Sequence, residues 1–220
     1  MGIAAFIGAF AISLAVLFIS NLGGRSNSMK LLLAGMALSA VCGAFSSFIV
    51  YFANNKEGMQ TIAYWMMGSL AGAKWGELAI IAPIIMASVI FFWTQSRVLN
   101  LMLLGDESAI TMGTDLHAYR QWYLLISSLI VGFAVYAAGM IGFVGLIIPH
   151  VIRMFTGPDH KRLIPVSALT GAIFLVICDG LCRIIIPHTE LPIGILISMI
   201  GAPSFIYLMI KKTYGFGGND

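Results

Sequence analysis

The chain has 220 residues, of which 60% are hydrophobic and 10% charged, with a formal net charge of +3. With a mean hydropathy of +0.97, this composition excludes a water-soluble domain with one buried core and indicates an integral membrane protein. The three cysteines lie inside apolar runs, which argues against a disulfide framework.

Seven apolar runs predict membrane-spanning helices, and a shorter apolar piece at 59–73 is typical of an interfacial or re-entrant segment. The first run has no basic region before it and no small-residue cleavage site after it, which favours a spanning helix over a signal peptide. The predicted spans are 3–22, 29–53, 75–95, 121–140, 141–154, 164–187 and 191–210.

The fifth run is short. As a helix, Ile141 to Ile152 covers only about 18 Å, whereas the hydrocarbon core is about 30 Å thick. If this run crosses, nine of the twelve basic residues share one side, and if it does not, the split is five against seven. The positive-inside rule therefore favours crossing, with a reversal at Gly139 and Gly142 on the outer face. The nine are Arg25, Lys30, Arg97, Arg120, Arg153, Lys161, Arg162, Lys211 and Lys212.

This topology has a cytoplasmic C-terminus and an N-terminus outside. An outside N-terminus without a signal is awkward to make, so we expect that the chain lacks upstream helices.

The cytoplasmic loop 97–120 carries two short amphipathic helices broken at Gly105 and Gly113. The first has Leu99, Met102 and Leu103 on one face, and the second begins with acidic residues that suit a helix N-terminus. Such helices lie on a surface. The loop is therefore either an interfacial linker or a docking surface for a cytoplasmic partner.

Small residues recur at helical spacing in two predicted spans. They can serve close helix packing, which small residues permit in membranes. The residues are Gly35, Ser39 and Gly43 in the second span and Gly194, Ser198 and Gly201 in the last.

Metal and nucleotide sites are not expected. His117, His150, His160 and His188 are not paired at i, i+4, so they predict no metal site. The chain has no G-x-x-x-x-G-K-[ST] loop, so it cannot cradle a nucleotide by that route.

Five blocks, in this order, resemble one family along nearly the whole chain. The chain is similar to the FecCD/BtuC-type membrane subunit of ABC importers for iron–siderophores, haem and vitamin B12. The blocks are "YWMMGSLAGAKWGEL", "LNLMLLGDESAITMG", "GFVGLIIPHVIRMFTGPDHKRLIP", "CDGLCR" and "ELPIGILISMIGAPSFIYLMIKK".

The resemblance implies an all-α polytopic bundle in which residues 1–220 form a single permease domain. Its seven helices correspond to helices four to ten of a ten-helix type II ABC importer permease, without the first three. The resemblance also implies a bacterial cytoplasmic (inner) membrane location, no enzymatic activity and no cofactor. The implied partners are a cytoplasmic ATPase, an extracytoplasmic binding protein, a second permease copy (identical or not) and membrane lipid, with no nucleic acid.

Site roles carry over by the same resemblance. Loop 97–120 becomes the coupling-helix loop that fits the ATPase, the two spans with small residues line the translocation path, and Ser28 and Met29 match the cytoplasmic gate. Arg183 matches an arginine that docks the binding protein, although an ion pair with Asp179 is an alternative role. The coupling residues are Leu104, Gly105, Asp106, Glu107, Ala109 and Gly113.

Three other functions stay open as alternatives. A zinc/manganese ABC permease is the main one, but the quoted blocks match the chelate branch better. An ion-coupled secondary transporter would need an acid near mid-membrane, whereas Glu57, Glu77, Asp179 and Glu190 lie near segment ends. An intramembrane enzyme would need a nucleophile–base or metal constellation, and the sequence offers none.

Overall fold

Helices make up most of the chain that the structure describes. The structure is a computed structural model that describes residues 2–22, 28–52, 56–185 and 191–211. Over these ranges there are ten helices and no strand, which confirms the predicted all-α class. They are α1 (Gly2–Asn21), α2 (Ser28–Phe52), α3 (Lys56–Met67), α4 (Trp75–Thr94), α5 (Ser96–Leu103), α6 (Asp106–Thr111), α7 (Leu116–Ala138), α8 (Val144–Thr156), α9 (His160–Ile185) and α10 (Ile193–Lys211).

Five of the helices in the described ranges are long and apolar enough to cross a membrane, namely α1, α2, α4, α7 and α9. The chain is therefore a polytopic membrane protein, as predicted. The remaining two predicted spans correspond to shorter apolar helices, α8 with 13 residues and the apolar part of α10, Ile193–Leu208.

The two ends of the bundle follow from how α1 and α7 pack. α1 begins beside the end of α7, since a side chain at Gly2 would meet the ring of Tyr136, and Gly132 lies against Phe6. We call this end, where α7 finishes at Ala138, the outer end. At the opposite, inner end, the Tyr123 hydroxyl near the start of α7 donates to Gln95 Oε1 (3.1 Å), just after α4.

The short helix α8 carries the chain from one end to the other. Directly after α7, the Met140 N–H donates to the Trp65 carbonyl (3.4 Å) at the outer end. After α8, Asp159 accepts from Asn100 (2.8 Å), which lies in α5 at the inner end. A 13-residue helix covers about 20 Å, and the non-helical residues 139–143 supply the remaining length. α8 therefore runs from the outer end of the bundle to the inner end, as the predicted crossing requires.

The reversal before α8 differs in one residue from its prediction. Gly139 has a positive φ (69°), as expected, but the second positive φ belongs to Phe143 (64°) and not to Gly142. The Val144 N–H donates to the Gly142 carbonyl (2.8 Å), so the tight turn is centred on Phe143. A positive φ is uncommon for a residue with a side chain, so sequence alone favoured the glycine.

The buried apolar clusters of the described residues lie among the last three helices. Cys178 and Cys182 of α9 form a buried cluster with Ile193 and Ile197 of α10, and Ile148 and Ile152 of α8 pack with Leu163. The ring of His150 stands edge-on to Phe205 at 6.0 Å and its Nδ1 lies 2.7 Å from the Leu146 carbonyl. His150 is therefore packed and hydrogen-bonded.

Basic residues are unevenly divided between the two ends. Of the ten whose backbone lies in described helices or turns, seven are at the inner end and three at the outer end, which assigns the inner end to the cytoplasm. Arg25 and Lys212 lie outside the described residues. The inner seven are Lys30, Arg97, Arg120, Arg153, Lys161, Arg162 and Lys211, and the outer three are Lys56, Lys74 and Arg183.

Cysteine labelling checks this orientation. Because α8 carries the chain across, Lys161→Cys should react with a membrane-impermeant maleimide only after permeabilisation, whereas Lys74→Cys should react in intact cells. The parent chain, which holds Cys42, Cys178 and Cys182, gives the background. Labelling of position 161 in intact cells would mean that α8 does not cross.

Candidate functional site

The inner-end loop between α4 and α7 is built from α5 and α6 with a glycine after each. Gly105 (φ 89°) and Gly113 (φ 78°) both adopt the left-handed conformation that glycine favours, so both breaks lie where they were predicted. Asp115 then caps α7 by accepting from the His117 N–H (3.0 Å). The loop is a defined pair of short helices.

The predicted coupling residues divide between the interior and the surface of this loop. Ala109 is fully buried, whereas Leu104 is 57% exposed. The side chains of Asp106 and Glu107 lie outside the described part. Leu103, predicted to share one face of α5 with Leu99 and Met102, is 48% exposed in the last turn of the helix, whereas the other two are partly buried.

An apolar surface results at the inner end. Leu103, Leu104 and Met112, which is 61% exposed, are exposed apolar side chains of this short loop, and we call them together the inner apolar surface. Sequence analysis did not select Met112, although an apolar residue between Thr111 and the helix-breaking Gly113 was a usable signal.

Polar side chains fix this loop to the bundle. The Asn100 amide nitrogen donates to Asp159 Oδ1 (2.8 Å), and its oxygen accepts from the backbone N–H of His160 (2.9 Å). The Trp93 indole donates to the Lys161 carbonyl (2.9 Å). The basic turn before α9 is therefore held in place. Asn100 was missed in the sequence, where it interrupts the apolar run "VLNLMLL".

The carboxyl group of Asp159 is stabilised in its charged form. The hydrogen bond from Asn100, followed by that from the Lys161 N–H, holds the pKa of Asp159 below its usual value. The group is therefore ionised at neutral pH, and its bond with Asn100 is charge-assisted.

The two predicted path helices use their glycines differently. A Cβ at Gly35 or Gly43 of α2 would meet nothing within 4 Å, and Ser39 is exposed. In α10, a Cβ at Gly201 would lie 2.6 Å from Ile147 Cδ1, and one at Gly194 would overlap the Met67 carbonyl. The α10 glycines thus pack within the chain, while those of α2 face open space.

A cavity of about 430 Å³ opens beside α10 at the outer end. Ser198 contributes to its wall, as do four methionines, whose thioethers are polarisable and adapt to different shapes. The main lining residues are Met66, Met67, Met140, Met199, Gly194 and Ser198. Among the three predicted path residues of α10, Ser198 borders this cavity, whereas Gly194 and Gly201 pack against other parts of the chain.

The remaining predicted sites lie at opposite ends of the bundle. Ser28 is the first residue of α2 and its side chain is outside the described part, whereas Met29 is exposed at the inner end. At the outer end, Arg183 Nε donates to Asp179 Oδ2 (2.9 Å), and the two side chains are 51% and 24% exposed. The ion pair proposed as an alternative role is therefore present.

Comparison with known proteins gives a family match over almost the whole chain. The model of the FecCD transport family matches residues 1–211. The hemin transport system permease protein HmuU of Yersinia pestis is 39% identical over 210 residues, which are 96% of this chain and 62% of that protein. The cobalamin import system permease protein BtuC of Halobacterium salinarum is 39% identical over 206 residues, 94% of this chain and 55% of that protein.

A solved structure described as a metal-chelate type ABC transporter in an inward-facing conformation is also similar, with a TM-score of 0.82 and 31% identity. The match covers 96% of this chain and 71% of that one. The chain spans less than two thirds of the length of the two curated relatives.

The glycine environments generate a stability prediction. Gly194→Ala should destabilise the fold by about 1–3 kcal/mol, because its methyl group would overlap a backbone carbonyl that cannot easily move. At about 2–4 °C per kcal/mol for a chain of this size, the melting temperature in detergent should fall by several degrees. Gly43→Ala, in open space on a comparable helix, is the matched control and should not lower it. Equal melting temperatures for the two variants would contradict the packing that we describe.

Proposed function

Because the chain belongs to the FecCD transport family, we propose that it is the transmembrane permease of an ABC importer in the bacterial cytoplasmic membrane. Its cargo would be a metal chelate of the iron–siderophore, haem or cobalamin class. Relatives named for hemin and cobalamin transport support this cargo class over free zinc or manganese. The observation that carries the proposal is the inner apolar surface on a loop fixed to a membrane bundle.

The inner apolar surface would dock a separate ATPase subunit. Its three side chains are 48–61% exposed at the cytoplasmic end, where water rather than lipid would otherwise meet them. Apolar side chains grouped on such a surface mark interaction sites. Asp106 and Glu107, in the first turn of α6, and the two left-handed glycines complete the proposed coupling residues.

The translocation path would run along α2 and α10. Open space beside Gly35 and Gly43 leaves room on α2 for a bulky cargo, and the cavity at Ser198 offers room on α10. α2 packs mainly against α1 within the described chain and exposes much of its apolar surface. A second permease copy facing α2 would close the path, with Ser28 and Met29 at its cytoplasmic gate.

The outer end would receive a substrate-binding protein. Arg183 remains half exposed although it pairs with Asp179, and a guanidinium can bond a partner carboxylate through two N–H groups. Asp179 would then orient the arginine for docking. This role goes beyond the ion pair itself.

Changing the inner apolar surface tests the proposed function. Leu104→Glu places a charge where an apolar contact with the ATPase is proposed, so chelate uptake and ATPase co-purification should each fall at least about tenfold, the equivalent of 1.4 kcal/mol. Because Leu104 is exposed, the melting temperature of the permease should stay unchanged. Leu104→Met keeps an apolar side chain and should retain both activities. Parental uptake by the glutamate variant would refute the coupling role.

The docking role of Arg183 has its own test. An exposed ion pair contributes about 0–1 kcal/mol, so Arg183→Ala should hardly affect folding, yet it should weaken binding of the substrate-binding protein about tenfold or more. The effect should shrink at high salt, because exposed charges are screened beyond about 8 Å at physiological ionic strength.

Asp179→Ala is the matched control, since it removes the ion pair and keeps the arginine. We expect its affinity for the binding protein, measured in nanodiscs, to fall by no more than about threefold, because Asp179 only orients the arginine, and the arginine itself makes the docking contact. If instead both single variants lose affinity equally and the double variant recovers it, Arg183 acts through Asp179 alone and the docking role is wrong.

A further inference from the structure

The side chain of Asn100 joins two parts of the inner end that are far apart in sequence. Its amide nitrogen donates to Asp159 Oδ1 (2.8 Å). Its amide oxygen accepts from the backbone N–H of His160 (2.9 Å) and from the Nδ1–H of the same residue (2.7 Å). An amide oxygen can only accept, which assigns the proton to Nδ1. One side chain of α5 thus holds the first residue of α9 and the residue before it.

Asp159 in turn organises the start of α9. Its Oδ1 also accepts from the Lys161 N–H (3.0 Å), and its carbonyl accepts from the Leu163 N–H (2.9 Å). It therefore caps the helix while it binds Asn100. The Trp93 indole, at the end of α4, donates to the Lys161 carbonyl, two residues further along. α5 and the start of α9 are therefore joined by several hydrogen bonds that point in different directions. These hydrogen bonds oppose sliding of one helix past the other.

α9 connects this junction to the outer end. It runs 26 residues, from His160 to Ile185, and carries the Asp179–Arg183 pair in its last two turns. Along its outer half, Cys178 and Cys182 are buried against Ile193 and Ile197 of α10. A displacement of the start of α9 would therefore be carried to Arg183 and to α10.

We propose that Asn100 is a positioning residue that makes the coupling helix α5 and the helix α9 move as one unit. This inference rests on the proposed function, in which α5 belongs to the ATPase-coupling loop and Arg183 to the docking site. Asn100 touches neither partner in this assignment. It acts through Asp159, by fixing where α9 begins relative to α5.

An exchange of the two side chains tests the role of Asn100. Asn100→Asp alone brings a second carboxylate against Asp159 and removes the donor, so the link should break. Adding Asp159→Asn restores a donor opposite the new carboxylate and keeps an oxygen for the Lys161 N–H, since Asn caps helices as well as Asp. The readout is the ratio of ATP hydrolysis with the binding protein to hydrolysis without it, measured on the assembled transporter in nanodiscs.

We expect Asn100→Asp to lower this ratio about tenfold and the exchanged pair to return it to within about threefold of the parent. Asn21→Asp is the matched control, because Asn21 also lies at the inner end but donates to the Leu17 carbonyl of its own helix (2.9 Å). This control should keep the parental ratio. Rescue by the exchanged pair also excludes general misfolding as the cause of the loss, because a merely damaged helix would not be repaired by a second change.

Two results would overturn the inference. A parental ratio in Asn100→Asp would show that the link does not transmit movement, and an unrescued loss in the exchanged pair would show that the bond to Asp159 is not the cause. Failure of the proposed function gives a different pattern, because the parent itself would then bind no ATPase or show no response to the binding protein.

Discussion

Two stretches of non-helical backbone, after α3 and after α7, meet the first turn of α10 at the outer end, and this close packing fixes where α8 and α10 begin. The Ser69 N–H donates to the Ala138 carbonyl (2.9 Å), and the Met140 N–H donates to the Trp65 carbonyl (3.4 Å). Side chains at Gly68, Gly139 or Gly194 would collide with backbone carbonyls across this junction. Irregular backbone is tolerated near lipid only where protein satisfies its polar groups. This junction does so, and it lets α8 start its crossing only five residues after α7 ends.

Hydropathy located the helices well because a segment that crosses a bilayer must be apolar, but it missed the polar ends of these helices. α7 begins at Leu116 rather than 121, after its cap at Asp115, and α9 begins at His160 rather than 164. An average of hydropathy along the sequence does not detect a charged first turn, although such a turn is fully helical. The crossing of α8 was predictable only from the charge distribution, because its length alone argues against it.

Features of the site that depend on backbone conformation were predictable from the sequence, whereas features that depend on contacts with other helices were not. Gly105 and Gly113 end their short helices as expected, because the left-handed conformation favours glycine. By contrast, Gly43 and Gly201 give the same sequence signal, yet one faces open space and the other presses on Ile147. The spacing of residues along a helix specifies which face they share but not what packs against that face. For the same reason, the sequence could place Asn100 in α5 but could not reveal its distant partner, Asp159.

The helices are therefore held unequally, which suits the proposed transport role. α8, α9 and α10 share buried clusters, and hydrogen bonds from Asn100 and Trp93 join them to α4 and α5. α2 has Ala34 as its buried core residue and packs mainly on α1. Regions with few buried apolar contacts change position at lower free-energy cost than well-packed ones. Of the two proposed path helices, α10 is consequently held by its own chain, whereas the position of α2 depends more on what surrounds it in the membrane.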